Sequence, residues 1–418
     1  MIDIKAARER PDEFRRALER KGAAAQFDAL LQVDGLWREL SAKVDELRAR
    51  TRPKGKPTEE ERAGLVAVGK ELREAEAELE ELERRRAELL AALPNPPDDS
   101  APEGFSDEDA LELRRVGEPP EFSFEPRDHL ALSSLWGSSG VEALAAPGFD
   151  LEHGAAVAGA RFAYRRGGVA LVELALYRYA LDRLVAQGFE PVLPPVLVRE
   201  SAMFGTGFLP TDEVNLYQLP GDGLYLTGTS EVALAALHQN EILPAEALPV
   251  RYAGYSTCFR REAGAAGRDT RGIFRVHQFD KVEMYFFARP ERSAEHHEEI
   301  LAIEEDLVRG LGIAYRVVVT AAGDLGPSAA KKYDLEAWIP SQKRYREITS
   351  CSNTTDYQAR RLNVRFRDGD SSLRFVHTLN GTAMTARFLI ALLEANQDED
   401  GHVAVPEVLA AYGAPERL

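Results

Sequence analysis

Two runs of heptad-spaced apolar residues, separated by a segment no helix can cross, constrain this chain more than anything else in it. Val33, Leu36, Leu40, Val44 and Leu47 recur at spacings of three and four, with Trp37 widening the same face. Leu65, Val68, Leu72, Ala75, Leu79, Leu82, Leu89 and Leu93 resume the pattern, interrupted only by Arg86. Between the runs, TRPKGKPTEEER holds Pro53, Gly55 and Pro57, which forbid a continuous helix, and Thr58 with Glu61 reads as a capping box opening the second one. The two helices must therefore fold back as an antiparallel hairpin. The second, about 35 residues at about 1.5 Å each, reaches roughly 50 Å, and so thin an arm holds no catalytic pocket. Its tip carries Arg48, Arg50, Arg52, Lys54 and Lys56. Charge alone leaves a solvated turn and a polyanion-binding tip equally open.

Ahead of the arm, residues 1–25 read as a small amphipathic helical lead-in, with Pro11 near a helix start and Gly22 near its end. Behind it, PNPPDDSAPEG at 94–104 is a Pro- and Asp-rich linker and divides an arm domain, 1–103, from a larger domain, 104–418. At 418 residues two domains are the expectation. The net charge of -17 opposes long-range approach to a polyanion, yet binding depends on local basic clusters, so a nucleic-acid partner is weakened and not excluded. No stretch approaches the roughly 18 uncharged apolar residues of a membrane helix, and MIDIKAARERPDEF lacks the apolar core of a signal peptide. A cytoplasmic protein without a membrane partner is expected. Cys258 and Cys351 stand in no metal-binding spacing, so neither a disulfide framework nor a zinc site is expected.

In the larger domain the densest chemistry lies between Cys258 and Phe287, CFRREAGAAGRDTRGIFRVHQFDKVEMYFF. Arg260, Arg261 and Glu262 precede a Gly/Ala-rich turn containing Gly264 and Gly267, and the chain returns through Arg271, Arg275 and His277 into alternating Val282, Met284 and Phe286. This is a hairpin with charge at its mouth. Guanidinium forks suit a polyphosphate, although a solvated, salt-bridged hairpin would look the same. Upstream, an apolar helix from Val169 to Gln187 ends at Gly188 and leads into FEPVLPPVLVRE, whose Pro194 and Pro195 place that strand at a sheet edge or an interface. Thr229, Ser230 and Glu231 sit at a strand-to-helix junction, where Thr or Ser caps a helix. Residues 290–312 read as a helix, the segment from Asp324 to Arg367 as strands of a mixed sheet, and TLNGTAMTARFLIALLEANQ as a helix with Asn380, Gly381 and Thr382 at its start and Arg387 in its first turns.

FRREAG, GRDTRG and RVHQFDKVEM resemble the second signature motif of class II aminoacyl-tRNA synthetases, in the form found in the seryl-tRNA synthetases. FEPVLPPVLVRE resembles motif 1 (about 188–200), TLNGTAMTARF motif 3 (about 378–394), and DLEAW, REITSCSN, DYQARR and the 139–167 stretch resemble further parts of the same family. Arg261 stands where the family usually has a small residue, Ala158 and Ala160 where it has serines, and motif 3 is one residue shorter before Arg387, which could turn that side chain by about 100°.

The fold this implies is α+β: an N-terminal antiparallel helical coiled-coil arm plus a class II synthetase mixed, mainly antiparallel sheet flanked by helices. The resemblance implies activation of L-serine by ATP to seryl-adenylate, transfer to the 3′ end of tRNA(Ser), and a homodimer joined through motif 1; tRNA(Sec) stays open as a second acceptor. It places Arg260, Glu262 and Arg387 in catalysis, Thr229, Ser230, Glu231, Arg260, Glu283 and Thr382 around serine, and Arg48, Arg50, Arg52, Lys54 and Lys56 on the tRNA. Around ATP it places Arg260, Arg261, Glu262, Val276, Phe279, Glu347, Ile348, Thr349, Ser350 and Arg387. Mg²⁺ is implied on Glu347 and Ser350, where hard oxygen donors beside phosphates suit it, although a glutamate on a strand is otherwise a solvated face residue. Two other readings stay open, a paralogue that loads an amino acid onto a carrier protein and an RNA-binding protein whose site has decayed.

Overall fold

The structure, a computed structural model, describes residues 1–51, 58–136, 148–263, 272–369 and 372–418, with residues 60, 61 and 63 in backbone only. Arg52, Lys54, Lys56, Gly264, Gly267, Arg271 and the Glu61 side chain of the capping box therefore lie outside the described residues, as do residues 139–147 of the 139–167 stretch. The chain forms two compact units, Met1–Pro97 and Asp98–Leu418. The division falls six residues before the expected one because the linker already belongs to the larger unit: the Asp98 N–H bonds the carbonyl of Ala330, and Ala101 is buried with Ala322, Leu325 and Ala329.

In the first unit, short helices Ile4–Glu9 and Pro11–Glu19 lead into long helices Ala24–Arg50 and Glu59–Ala92. Pro11 occupies the first helical turn, where a missing N–H costs nothing. The long helices run antiparallel, since Asp34 meets Arg86 while Lys43 meets Glu71. Val44, Leu47 and Ala75 are buried along the seam with Leu40, Val68, Leu72 and Leu79 against them, and Phe27, Leu30, Leu90 and Leu93 close the base. Leu36 corrects the heptad reading: it is 48% exposed. The seam follows Val33, Trp37, Leu40, Val44 and Leu47, a strict alternation of four and three that leaves Leu36 off the facing stripe. Arg86, the apparent break in the second run, lies over the Trp37 ring at 4.6 Å and donates to Asp34 at 2.6 Å, and Arg8 grips the same carboxylate. Burial alone would raise the Asp34 carboxyl, but the hydrogen bonds from Arg8 and Arg86 outweigh it and hold it below its ordinary range.

The second unit is built on an eight-stranded sheet. In spatial order its strands are Leu111–Val116, Tyr315–Val319, Lys331–Ile339, Arg344–Asn353, His377–Thr385, Gln278–Ala288, Val250–Phe259 and Glu190–Val192. Every pairing is antiparallel except the last, where Glu190–Val192 lies parallel to Val250–Phe259. The mixed, mainly antiparallel sheet is as expected. Leu111–Val116 carries no readable alternation because it is an edge strand with almost every side chain exposed. Helices Gly167–Ala186, Ser293–Gly310 and Ala386–Ala395 contribute Leu176, Tyr179, Ile300, Leu307 and Leu389 to a core shared with Val282, Met284 and Phe286 of the sheet.

Three local assignments change. Within the segment read as strands, Tyr357–Leu362 is a short helix. Pro194 and Pro195 lie in no strand; they separate edge strand Glu190–Val192 from Leu197–Arg199 in a second, three-stranded sheet. Asn380, Gly381 and Thr382 sit inside strand His377–Thr385, and the helix starts later, where the Thr385 hydroxyl accepts the Arg387 N–H. No helix among the described residues is long and apolar enough to cross a membrane.

Asp34→Ala leaves two partly buried guanidinium groups without their shared acceptor, and is expected to cost the first unit about 3 kcal/mol. Trp37 fluorescence during urea unfolding, in a Trp136→Phe/Trp338→Phe background, reads it; an unchanged midpoint would mean that the cluster contributes nothing. The Asp34 contribution is complete above the unfolded-chain value of about 3.9 and is lost as pH falls through the lower folded value.

Candidate active site

Strand Gln278–Ala288 presents two different surfaces. Val282, Met284, Phe286 and Ala288 enter the core, while Phe279, Lys281 and Glu283 line a cavity of about 410 Å³ on the opposite side. Tyr285 and Phe287 continue that second face into a smaller cluster with Leu234, Val364 and Phe366. The volume suits a small ligand.

At one cluster in the wall the Lys281 ammonium contacts Glu283 and donates to the Thr229 hydroxyl at 2.7 Å, and the Thr382 hydroxyl lies 3.4 Å from Glu283. Lys281 and Glu283 are 7% and 2% exposed, so each neutralises a charge that water cannot reach. The Thr229 oxygen also accepts the Glu231 N–H, which leaves its own proton to donate. Glu231 receives Nε2 of Gln358 at 2.7 Å and Nδ2 of Asn380 at 3.0 Å. Burial, with the nearby Glu283 charge adding to it, pushes the Glu231 carboxyl up to about 7.

A second cluster surrounds Phe274, which Arg346 covers at 3.9 Å and Arg387 at 4.8 Å. Arg387 bonds the Glu347 carbonyl at 3.0 Å and stands 3.4 Å from its carboxylate. Burial opposes ionisation of Glu347, but Arg387, Lys332 and Arg260 outweigh it and hold the carboxyl well below its ordinary range. Glu262, at a positive φ of 51°, pairs with Arg275 at 2.6 Å, and Nε of Arg275 is buried with no hydrogen-bond partner among the described residues. Arg260 joins the two clusters. Its backbone exchanges hydrogen bonds with His277, its Nε donates to the Gly228 carbonyl at 3.2 Å, and its guanidinium covers Phe279 at 5.4 Å.

The cavity thus brings together Thr229, Glu231, Arg260, Glu262, Val276, Phe279, Glu283, Glu347, Ile348, Thr349, Ser350, Thr382 and Arg387. It leaves out two expected members. Ser230 is buried with its hydroxyl on the Gly254 carbonyl, because the helix turn at Glu231 points it away from Thr229. Arg261 is exposed over Tyr217 at 5.8 Å, its N–H bonded to the Asn215 carbonyl, because consecutive residues leaving a strand diverge. Shortened motif 3 does deliver Arg387 to the cavity. Sequence reasoning gave no role to Lys281, Lys332, Phe274, Asn380 or Gln358. Lys281 was legible, since it shares the period-two face of Phe279 and Glu283. Arg48, at the arm tip, is paired with Glu76 at 2.9 Å, and Arg50 is exposed. Cys258 and Cys351 are free and buried.

Glu347 and Ser350 offer only oxygen donors, and among the described residues no three His, Cys, Asp or Glu side chains gather as a metal cage. That fits a Mg²⁺ ion held mainly by substrate phosphates with one or two protein oxygens, the usual arrangement for this ion.

An antiparallel sheet with arginines at the mouth of one hairpin and at the start of the closing helix, facing a single polar cavity, defines the catalytic core of a class II aminoacyl-tRNA synthetase. The family model for the tRNA synthetase class II core domain (G, H, P, S and T) matches residues 216–396, and that for the seryl-tRNA synthetase N-terminal domain matches residues 1–97. Serine--tRNA ligase of Thermobifida fusca is 49% identical over 99% of this chain and 97% of its own. Among solved structures, seryl-tRNA synthetase from Pyrococcus horikoshii complexed with ATP aligns with a TM-score of 0.92 at 39% identity, covering 100% of this chain and 99% of that one. Cytoplasmic serine-tRNA ligase from Naegleria fowleri in complex with AMP aligns at 0.85 and 33%, covering 98% and 95%. The chain belongs to the seryl-tRNA synthetase family.

Removing the ammonium in Lys281→Met strands the Glu283 carboxylate in the wall and is expected to cost about 3 to 5 kcal/mol. Lys281→Met/Glu283→Leu, which removes both charges, should regain most of it. Chemical denaturation compares the two; a double variant no more stable than the single one would show that the charges do not compensate each other.

Proposed function

We propose that this cavity joins L-serine and ATP as seryl-adenylate, and that the seryl group then passes to the 3′ end of tRNA(Ser). The observation that carries the reading is the convergence of Arg260, Thr229, Glu231, Glu283 and Thr382, with the nucleotide-directed Glu262, Phe279, Glu347 and Arg387, on one cavity.

The serine carboxylate attacks the α-phosphorus as pyrophosphate leaves, so two anions must be held in line while charge grows on the phosphoryl oxygens. Arg260 answers that need. Standing between the two clusters and fixed through its backbone and Nε, it bridges the carboxylate and the α-phosphate at little cost of reorganisation. Glu231, with Thr229, takes the α-ammonium. Glu283 and Thr382 take the side-chain hydroxyl, and alanine, which cannot satisfy them, is rejected by roughly 10⁴-fold. Phe279 and Val276 line the adenine, Glu262 accepts from it, and Arg387 flanks the nucleotide opposite. Arg275, which lines the cavity, adds a guanidinium for phosphate. Glu347 and Ser350 would hold Mg²⁺, which when bound would supply charge neutralisation for the pyrophosphate.

The arm grips its RNA through backbone and shape, since a double-stranded stem hides its base edges in a narrow groove. A two-fold homodimer joins through residues 188–200, which is supported by Leu193, 82% exposed beside the edge strand. Activity is cytoplasmic, and tRNA(Sec) is a further acceptor to be assayed. Neither rival reading gains support: the chain carries the arm that a carrier-protein ligase lacks use for, and Arg260, Glu262, Glu283 and Glu347 line one cavity rather than a decayed site.

Arg260→Ala is expected to lower serine-dependent ATP–pyrophosphate exchange by several orders of magnitude with the thermal midpoint unchanged; exchange near the parent level overturns the assignment. The raised Glu231 carboxyl adds a pH dependence. Serine's ammonium needs the ionised form, which prevails only above about 7. As pH falls from 8 to 6, KM for serine should rise roughly tenfold while KM for ATP holds, and Glu231→Gln should abolish the slope. The linkage for the ligand-free protein runs the other way. A raised carboxyl stabilises the fold below the unfolded value of about 4.3, and that contribution is lost as pH rises through the folded value.

A further inference from the structure

Gln358, on the short helix Tyr357–Leu362, is fully buried and touches no part of the cavity lining except through Glu231. Its amide is satisfied at both ends. Nε2 donates to Glu231 Oε1 at 2.7 Å and to the Thr206 carbonyl at 3.2 Å, while Oε1 accepts from the Tyr285 hydroxyl at 2.7 Å and the Thr378 hydroxyl at 2.9 Å. This orientation is forced, because a carbonyl has no proton to give and so the NH₂ group must face Thr206. Burial keeps the Tyr285 hydroxyl protonated, hence a donor. Asn380 supplies a second N–H to the same Glu231 oxygen at 3.0 Å. Oε1 is thereby occupied twice, and Oε2 receives no hydrogen bond among the described residues although Glu231 lines the cavity.

We propose that Gln358 is a positioning residue for the amino-acid substrate: it locks the Glu231 carboxylate so that one oxygen is consumed by the protein and the other is presented to the α-ammonium. The inference rests on the reading of Glu231 given above. It explains why an amide stands there. A carboxylate at 358 would repel Glu231, and an apolar side chain would free Oε1 to rotate toward the ligand or to demand water. It also ties ammonium recognition to Thr206, Tyr285 and Thr378, three residues outside the cavity lining. The anchor is thus carried by the body of the sheet and by the neighbouring helix, not by a loop.

The test is pyrophosphate exchange with serine and ATP varied separately, beside the thermal midpoint. Gln358→Met should raise KM for serine about tenfold, the worth of one hydrogen bond to a charged group, with KM for ATP within about twofold of the parent. Gln358→Glu should raise it further at pH 8 than at pH 6, where the two carboxyl groups can share a proton. The swap Glu231→Gln/Gln358→Glu rebuilds an amide–carboxylate pair with the charge moved off the cavity. It should recover only part of the midpoint lost by Gln358→Glu, since a carboxylate then faces the Thr206 carbonyl, and should keep the high serine KM of Glu231→Gln because the charge has left the cavity. Should Gln358→Met fail to fold, Gln358→Glu decides alone: a serine KM raised over the parent no further at pH 8 than at pH 6 overturns the proposal. Equal rises in both KM values or a serine KM untouched by Gln358→Met overturns the proposal while leaving Glu231 in place, whereas a swap that restores serine KM removes the reading of Glu231 as well. A serine KM untouched by Glu231→Gln removes the reading of Glu231 itself, and the proposal with it.

Discussion

A single β-strand, Gln278–Ala288, has to be oily on one face and charged on the other, and the rest of the catalytic unit depends on that division. The core side is specified by packing: Val282, Met284 and Phe286 are fully buried against three helices. A slip of one residue would put all of them in the cavity and turn Lys281 and Glu283 into the core, burying an ion pair cut off from Thr229 and Thr382. Apolar packing on one side therefore enforces the placement of chemistry on the other. This is why an ionic pair that adds little to stability by itself can be kept so precisely oriented.

Neighbouring strands complete the site by register. The pairing of Gln278–Ala288 with His377–Thr385 shifts between Val282 and Glu283, so that Glu283 faces Thr382 and not Ala383. Such a bulge re-aims a side chain without breaking the sheet. On the far side, the Thr349 hydroxyl bonds the Thr382 carbonyl and so links the strand bearing Glu347 and Ser350 to the one bearing Thr382. Residues almost a hundred positions apart in the chain thus become lateral neighbours, and their spacing is set by backbone hydrogen bonds.

What could be read beforehand follows from periodicity. The arm, the alternation of Val282, Met284 and Phe286, and the charged hairpin mouth all repeat with the period of their element and were legible without coordinates. Leu36 was misplaced and Trp37 undervalued because an indole in a leucine seam looks like an accessory until its partner, Arg86, is known to lie over it. Ser230 and Arg261 were drawn into the site by adjacency to Thr229 and Arg260, yet neighbours on a helix turn or a strand end diverge. Gln358 lay in DYQARR, a stretch with a resemblance but no legible role, and Lys332 in no pattern: their significance arises only from contacts made across the sheet. The linker read as a boundary by composition, but composition does not reveal that Asp98 and Ala101 have partners in the sheet-bearing unit.

Charge on the arm obeys a different logic from charge in the cavity. Arg48 is half-exposed and already paired with Glu76, and Lys43 with Glu71, so neither is an idle cation awaiting a polyanion. Exposed pairs of this kind are worth about 0 to 1 kcal/mol, whereas each phosphate contact gains the entropy of counterions released from the nucleic acid. Binding an RNA stem would then be an exchange of partners, with the acidic face of the second helix holding the arginines extended and ready, and phosphate displacing carboxylate at small cost. On that view the net charge of -17 is no obstacle to recognition. Basic side chains at the tip would act within a Debye length of roughly 8 Å, where local charge outweighs the global sum.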